Sequence, residues 1–154
     1  MTTVSFYRAV LIVFAAGAAS GCSSTHPYAN SAPENLTIKP DVRTGSAQMH
    51  VYEIDNACNA SYRGTVELNN LKIKVGIPAN KPSYLVFNFS DASLLTGSSS
   101  VSYDLYLNPK TGYHYDAAVS YADSMYGATI HEQDSRGGAR REVPRFVPKA
   151  CASK

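Results

Sequence analysis

The side chains best suited to chemistry in this chain are three cysteines and four histidines. A nucleophilic site needs a Ser, Cys or Thr beside an oriented base, and the Ser-rich stretch at 96–100 has no G-x-S-x-G elbow. Zinc needs clustered ligands, yet His50, His114 and His131 fall on three different predicted strands. We therefore expect no catalytic residue, metal or cofactor; the alternative is an enzyme or metal-binding protein that uses these strand histidines.

The N-terminus has the pattern of an export signal. Arg8 follows a segment without acidic residues, and Ala9 to Ala19 form an unbroken run of apolar and small residues. Such a run before small residues is typical of a secretory signal peptide. It is shorter than the roughly 20 residues that cross a bilayer, so a permanent transmembrane anchor is the weaker alternative.

Ala19-Ser20-Gly21-Cys22 resembles the lipobox of bacterial lipoproteins, and the whole chain looks like small proteobacterial lipoproteins. The family usually has Leu where this chain has Ala19. The resemblance implies that residues 1–21 are a signal peptide and that a lipid on Cys22 attaches the protein to the membrane. By the family's sorting rule, Ser23 implies the periplasmic face of the outer membrane. Cleavage after Ala16-Gly17-Ala18, giving a soluble secreted protein, is the alternative.

Lipidation of Cys22 would leave Cys58 and Cys151 as a possible pair. An exported protein meets oxidising conditions, so we predict a disulfide between them. It would close a loop of roughly 90 residues and add about 4 kcal/mol on the chain-entropy model. Two free thiols too far apart to bond remain the alternative.

Beyond Cys22, the composition predicts a tether and one domain. Residues 22–47 are polar and interrupted by prolines, so we expect a lipidated Cys and a flexible tether spanning about 25–30 Å. Residues 48–154 are predicted to form the domain with a basic C-terminal tail, since 136–154 hold six basic residues and one acidic residue. The tail would meet anionic material or the domain's own acidic side. Export argues against nucleic acid as a partner.

The domain is predicted to be all-β. Seven segments alternate apolar and polar residues or are continuously apolar, as strands with a buried face do, and turn residues separate them. No segment has convincing helical periodicity. The expected architecture is a single seven-stranded β-sandwich. The segments are 49–52, 62–68, 71–77, 84–89, 101–107, 113–121 and 126–130.

One segment refines this architecture. Residues 107–119 contain Leu107, a Pro two residues later and Tyr113 before an alternating strand. They resemble the tyrosine corner of fibronectin type III and immunoglobulin-like domains. The resemblance implies an immunoglobulin-like sandwich with a structural role for Leu107 and Tyr113; it implies no activity.

Tyrosines are the most suggestive surface feature. Five of the ten downstream of Cys22 fall on faces predicted to be buried: Tyr62, Tyr103, Tyr113, Tyr115 and Tyr126. Tyr52, Tyr84 and Tyr106 fall on opposite faces and form a candidate binding surface for a peptide, glycan or partner sheet, because rigid aromatic side chains lose little entropy on contact. Ordinary cross-strand pairing is the simpler explanation.

These observations favour a lipid-anchored envelope protein that acts as a non-enzymatic binding or accessory module. Its expected partners are the membrane, through Cys22, and an envelope protein or glycan. A structural lipoprotein without a fixed ligand is a further alternative.

Overall fold

The computed structural model describes residues 26–69, 71–93, 97–122 and 125–144, and over these the chain forms nine β-strands and no helix. In chain order they are β1 (Leu36–Val42), β2 (Ser46–Ile54), β3 (Ala60–Glu67), β4 (Ile73–Val75), β5 (Ser83–Ser93), β6 (Gly97–Leu107), β7 (Tyr113–Ala122), β8 (Met125–Asp134) and β9 (Arg141–Glu142).

The strands form two sheets around one hydrophobic core. One sheet has four strands in the order β3-β2-β5-β6, and the other has five in the order β4-β1-β7-β8-β9. Side chains from both sheets meet between them; the Phe89 and Tyr121 ring centroids, for example, are 5.4 Å apart. The predicted all-β sandwich is confirmed.

The predicted count of seven strands is wrong for the described residues. The seven segments correspond to β2 through β8, and β1 and β9 are additional. The prediction missed β1 because Pro40 interrupts its sequence. Pro40 is tolerated there because β4 pairs only with Leu36 to Ile38. On the β4 side of β1, the N–H that Pro40 lacks therefore has no strand to bond to.

The predicted tether is also wrong in its extent, since residues 26–47 already belong to the fold and include β1 and the start of β2. Thr65 donates its N–H to the His26 carbonyl at 2.8 Å, and Tyr28 donates its N–H to the Thr65 carbonyl at 2.9 Å. The Tyr28 hydroxyl then donates to the Gly76 carbonyl at 2.8 Å. These bonds lay residues 26–28, the docked N-terminal segment, along the edge of β3.

The strand order differs from the immunoglobulin-like order that we predicted. In a constant-type immunoglobulin sandwich, the first, second, fifth and fourth strands share one sheet. Here β1 lies between β4 and β7, parallel to β7, while β2 lies between β3 and β5. The resemblance of residues 107–119 to a tyrosine corner is therefore local.

The tyrosine corner is shifted by two residues from its predicted position. Tyr115, not Tyr113, accepts the backbone N–H of Lys110 on its hydroxyl at 2.9 Å, and its side chain is buried. Tyr113 is half-buried at the start of β7, with the Lys110 ammonium 5.0 Å from its ring centroid. Leu107 is buried in the core, as predicted.

Gly64→Ala tests the docked N-terminal segment. Gly64 has φ 138°, and a Cβ there would lie 2.5 Å from Tyr28 Cα. We expect a loss of about 2–6 kcal/mol in the free energy of unfolding, from backbone strain and overpacking together, measured by urea denaturation. Gly137→Ala is the control, because φ is 96° but nothing lies within 4 Å. Equal losses in the two variants would contradict tight docking of residues 26–28.

Tyr115→Phe tests the corner assignment. Removing the hydroxyl leaves the Lys110 N–H without its acceptor, and we expect a loss of about 1–3 kcal/mol in unfolding free energy. Tyr113→Phe should change it by less than about 0.5 kcal/mol. The reverse ranking in chemical denaturation would restore Tyr113 as the corner residue.

Candidate binding surface

The three tyrosines predicted as a binding surface lie side by side on the four-stranded sheet. Tyr84 in β5 lies directly opposite Tyr52 in β2 and Tyr106 in β6. Their neighbours Val51, Leu85 and Leu105 are buried in the core. Because successive side chains in a strand point to opposite faces, the three tyrosines lie on the outer face.

A fourth tyrosine joins this row. Tyr62 in β3 lies opposite Tyr52, with ring centroids 5.5 Å apart, and the Tyr52 and Tyr84 centroids are 6.0 Å apart. Tyr62, Tyr52, Tyr84 and Tyr106, the tyrosine row, therefore cross all four strands of this sheet. Each of the four side chains is half-buried or exposed.

The prediction that Tyr62 is buried is wrong, and a β-bulge is the reason. Val51 pairs with Gly64, but the next residue, Tyr52, pairs with Tyr62, so Arg63 is the extra residue. One extra residue moves every earlier side chain of β3 to the opposite face. Tyr62 therefore lies outward and is 43% exposed.

The other four tyrosines predicted to be buried vary in outcome. Tyr115 is buried, while Tyr103 and Tyr113 are half-buried. Tyr126 is 43% exposed, although its ring stacks on Phe89 with centroids 5.6 Å apart. It belongs to the five-stranded sheet and lies outside the tyrosine row.

Two rows of mostly polar side chains run parallel to the tyrosine row on the same face. The first contains Thr65, His50, Val86 and Asp104, and the second contains Glu67, Gln48, Asn88 and Ser102. Side-chain hydrogen bonds order the second row. Gln48 donates to Glu67 at 2.9 Å, and Ser102 donates to Asn88 at 2.7 Å. The face therefore combines aromatic rings with fixed amide, carboxylate and hydroxyl groups.

The histidines of the alternative prediction lie on two different sheets. His50 is on the outer face of the four-stranded sheet, with Nδ1 2.6 Å from Thr65 Oγ1. His114 and His131 lie on β7 and β8 of the other sheet, with His131 opposite Asp116. Among the described residues, no group of three or more His, Cys, Asp or Glu is placed to hold a metal ion.

A cavity of about 390 Å³ lies at the end of the sandwich, beside the bulge and the docked N-terminal segment. Glu53 accepts hydrogen bonds there from Lys81 at 3.2 Å and from Arg63 at 2.7 Å. The bonds from Lys81 and then Arg63 hold the pKa of Glu53 below its usual value. Burial raises the pKa of Tyr28, which also lines the cavity. The three charged groups leave one net positive charge.

The predicted cysteine sites are covered only in part. Cys22 and Cys151 lie outside the described residues. Cys58 lies between β2 and β3 with φ 64°, in a turn where Asp55 accepts the backbone N–H groups of Ala57 and Asn59.

At the start of the basic tail, Arg136 pairs with Asp134 at 3.1 Å. Within the ranges described, the chain forms no helix long and apolar enough to cross a membrane.

Comparison with known proteins assigns the chain to no family. No protein-family model matches it, and no curated protein matches it. Among solved structures, it is similar to transthyretin from Sparus aurata, with a TM-score of 0.45 and 15% identity over 66% of this chain and 99% of that one. It is also similar to sea bream transthyretin in complex with thyroxine, with a TM-score of 0.43 and 15% identity over 62% of this chain and 93% of that one.

Proposed function

We propose that this chain is a lipid-anchored envelope protein whose domain binds an extended envelope glycan across the outer face of its four-stranded sheet. The observation that carries the proposal is the tyrosine row, in which Tyr62, Tyr52, Tyr84 and Tyr106 share one register line. Tyrosine offers a large rigid contact area at low entropic cost and keeps a polar hydroxyl.

The neighbouring polar rows favour a glycan over a protein partner. The core of a protein interface is depleted in charged residues and more apolar than its rim. Here Asp104 lies in the first polar row and Glu67 in the second. Val86 is the one aliphatic side chain among the eight positions of these two rows. Sugar rings present C–H faces that pack on aromatic rings, and hydroxyl groups that bond to amides and carboxylates. This mixture matches the face.

The anchor is proposed to be lipid on Cys22, on the periplasmic face of the outer membrane, from the lipobox resemblance described above. The companion proposal is a disulfide between Cys58 and Cys151. It is supported by the number of cysteines: the chain has three, and lipidation of Cys22 would leave Cys58 and Cys151 as a pair. The disulfide would fasten the C-terminus to the turn between β2 and β3.

Tyr62→Ala tests glycan binding. The probe is fluorescently labelled glycan strands released from peptidoglycan with their stem peptides removed, titrated with the full protein in detergent. We expect about tenfold weaker binding by anisotropy, as for loss of an aromatic anchor. Tyr126→Ala is the matched control, because Tyr126 is also 43% exposed but lies on the other sheet.

Equal affinity of the Tyr62→Ala and Tyr126→Ala variants would contradict a role for the row. Binding only to strands that keep their stem peptides would contradict a glycan ligand and indicate a peptide ligand. Circular dichroism of both variants checks that they fold.

Cysteine chemistry tests the anchor and the disulfide in one experiment. The protein should incorporate labelled palmitate, and Cys22→Ser should abolish this incorporation. After denaturation without reductant, the lipidated protein should show no titratable thiol; after reduction it should show two, from Cys58 and Cys151. Palmitate on the Cys22→Ser variant would contradict the anchor, and two thiols before reduction would contradict the disulfide.

A further inference from the structure

The docked N-terminal segment places the proposed lipid close to one edge of the sandwich. The segment begins at His26, whose carbonyl accepts the Thr65 N–H of β3 at 2.8 Å. Four Cα–Cα steps separate Cys22 from His26, and a chain of that length spans at most about 14 Å. The lipid therefore cannot lie far from the β3 edge.

The direction of the docked N-terminal segment further restricts where the proposed lipid can lie. Residues 26–28 run parallel to β3, with Pro27 bridged to Thr65. Going back from Tyr28 to His26, the segment therefore leads toward the beginning of β3. There the residues Ala60 to Arg63 are all exposed along the strand that forms the sheet edge.

We propose that the beginning of β3 and the adjoining sandwich end dock on the lipid leaflet, so that the anchored domain has a fixed orientation. This inference rests on the proposed lipid at Cys22. The exposed groups there suit a membrane–water interface. The Arg63 and Lys81 side chains are 52% and 59% exposed. Arginine and lysine place their charged tips among headgroups while their apolar stems pack below.

Charge alone does not hold this surface on the leaflet. Arg63 and Lys81 are positive, but Glu53 pairs with both, and Asp55 lies in the neighbouring turn. The acyl chains supply the affinity, and the short connection gives the surface a high effective concentration at the headgroups. Weak contacts between this surface and the headgroups are then sufficient to fix the orientation of the domain.

The orientation also directs the tyrosine row. The whole row lies one register position from the end of the sheet where β3 begins, beside Arg63 and Lys81. A ligand that lies along the row would therefore run beside the docked end, close to the leaflet.

The test compares two exposed serines on opposite edges of the same sheet. Ser61 lies at the beginning of β3, and Ser100 lies in β6. Full-length Ser61→Cys and Ser100→Cys proteins carry an environment-sensitive fluorophore and are placed in phosphatidylethanolamine–phosphatidylglycerol vesicles with a headgroup nitroxide quencher. We expect several-fold stronger quenching at position 61. Inserting about 20 Gly/Ser residues between Ser24 and Thr25, a coil of about 25 Å, should remove most of the difference.

Vesicle sedimentation separates the two ways of failing. If the proteins do not sediment with vesicles, the lipid anchor fails and the orientation fails with it. If they sediment but positions 61 and 100 are quenched equally, the anchor stands and the orientation is overturned. A difference that persists unchanged with the long insertion would also overturn it, because the short connection would then not be the cause.

Discussion

The bulge at Arg63 is the constraint on which both candidate surfaces depend. One extra residue in β3 moves Tyr62 to the outer face, where it extends the tyrosine row to all four strands. The residue after the bulge is Gly64, whose missing side chain leaves room for Pro27 and Tyr28 on the sheet edge. Bulges commonly re-aim side chains at sheet edges and functional sites. Here a single irregularity places both the aromatic face and the N-terminal segment.

Alternation was enough to predict most of the strands and one side of the surface. It identified β2 through β8, and it separated Tyr52 from the buried Val51 and Tyr106 from the buried Leu105. Their shared register line could not be predicted, because it depends on loop geometry and on which strands pair. Tyr62 was assigned to the wrong face because alternation assumes an uninterrupted register, and nothing local in the β3 sequence marks the bulge except Gly64.

The errors in the N-terminal region have a different cause. Residues 26–47 are polar and contain several prolines, so their composition resembles a linker. Long-range hydrogen bonds hold them in the fold. The Asn35 side chain, for example, donates to the Ile77 carbonyl and accepts the Ile77 N–H, both at 2.8 Å. Leu36 and Ile38 of β1, the strand between β4 and β7, are then buried in the core. A prediction from local composition cannot detect contacts between residues about 40 positions apart in the sequence.

If Cys22 carries the proposed lipid, the short connection to His26 lowers the affinity that the tyrosine row needs as a binding surface. A free domain with four partly exposed rings would need a high intrinsic affinity to hold a scarce ligand. A domain confined near a leaflet meets nearby glycan at an effective concentration set by its reach, so modest contacts suffice. The same confinement limits the choice of ligand. With the proposed lipid on Cys22 and about 14 Å or less between Cys22 and His26, only material close to the membrane surface would lie within reach of the row, and a long flexible tether would remove that selectivity.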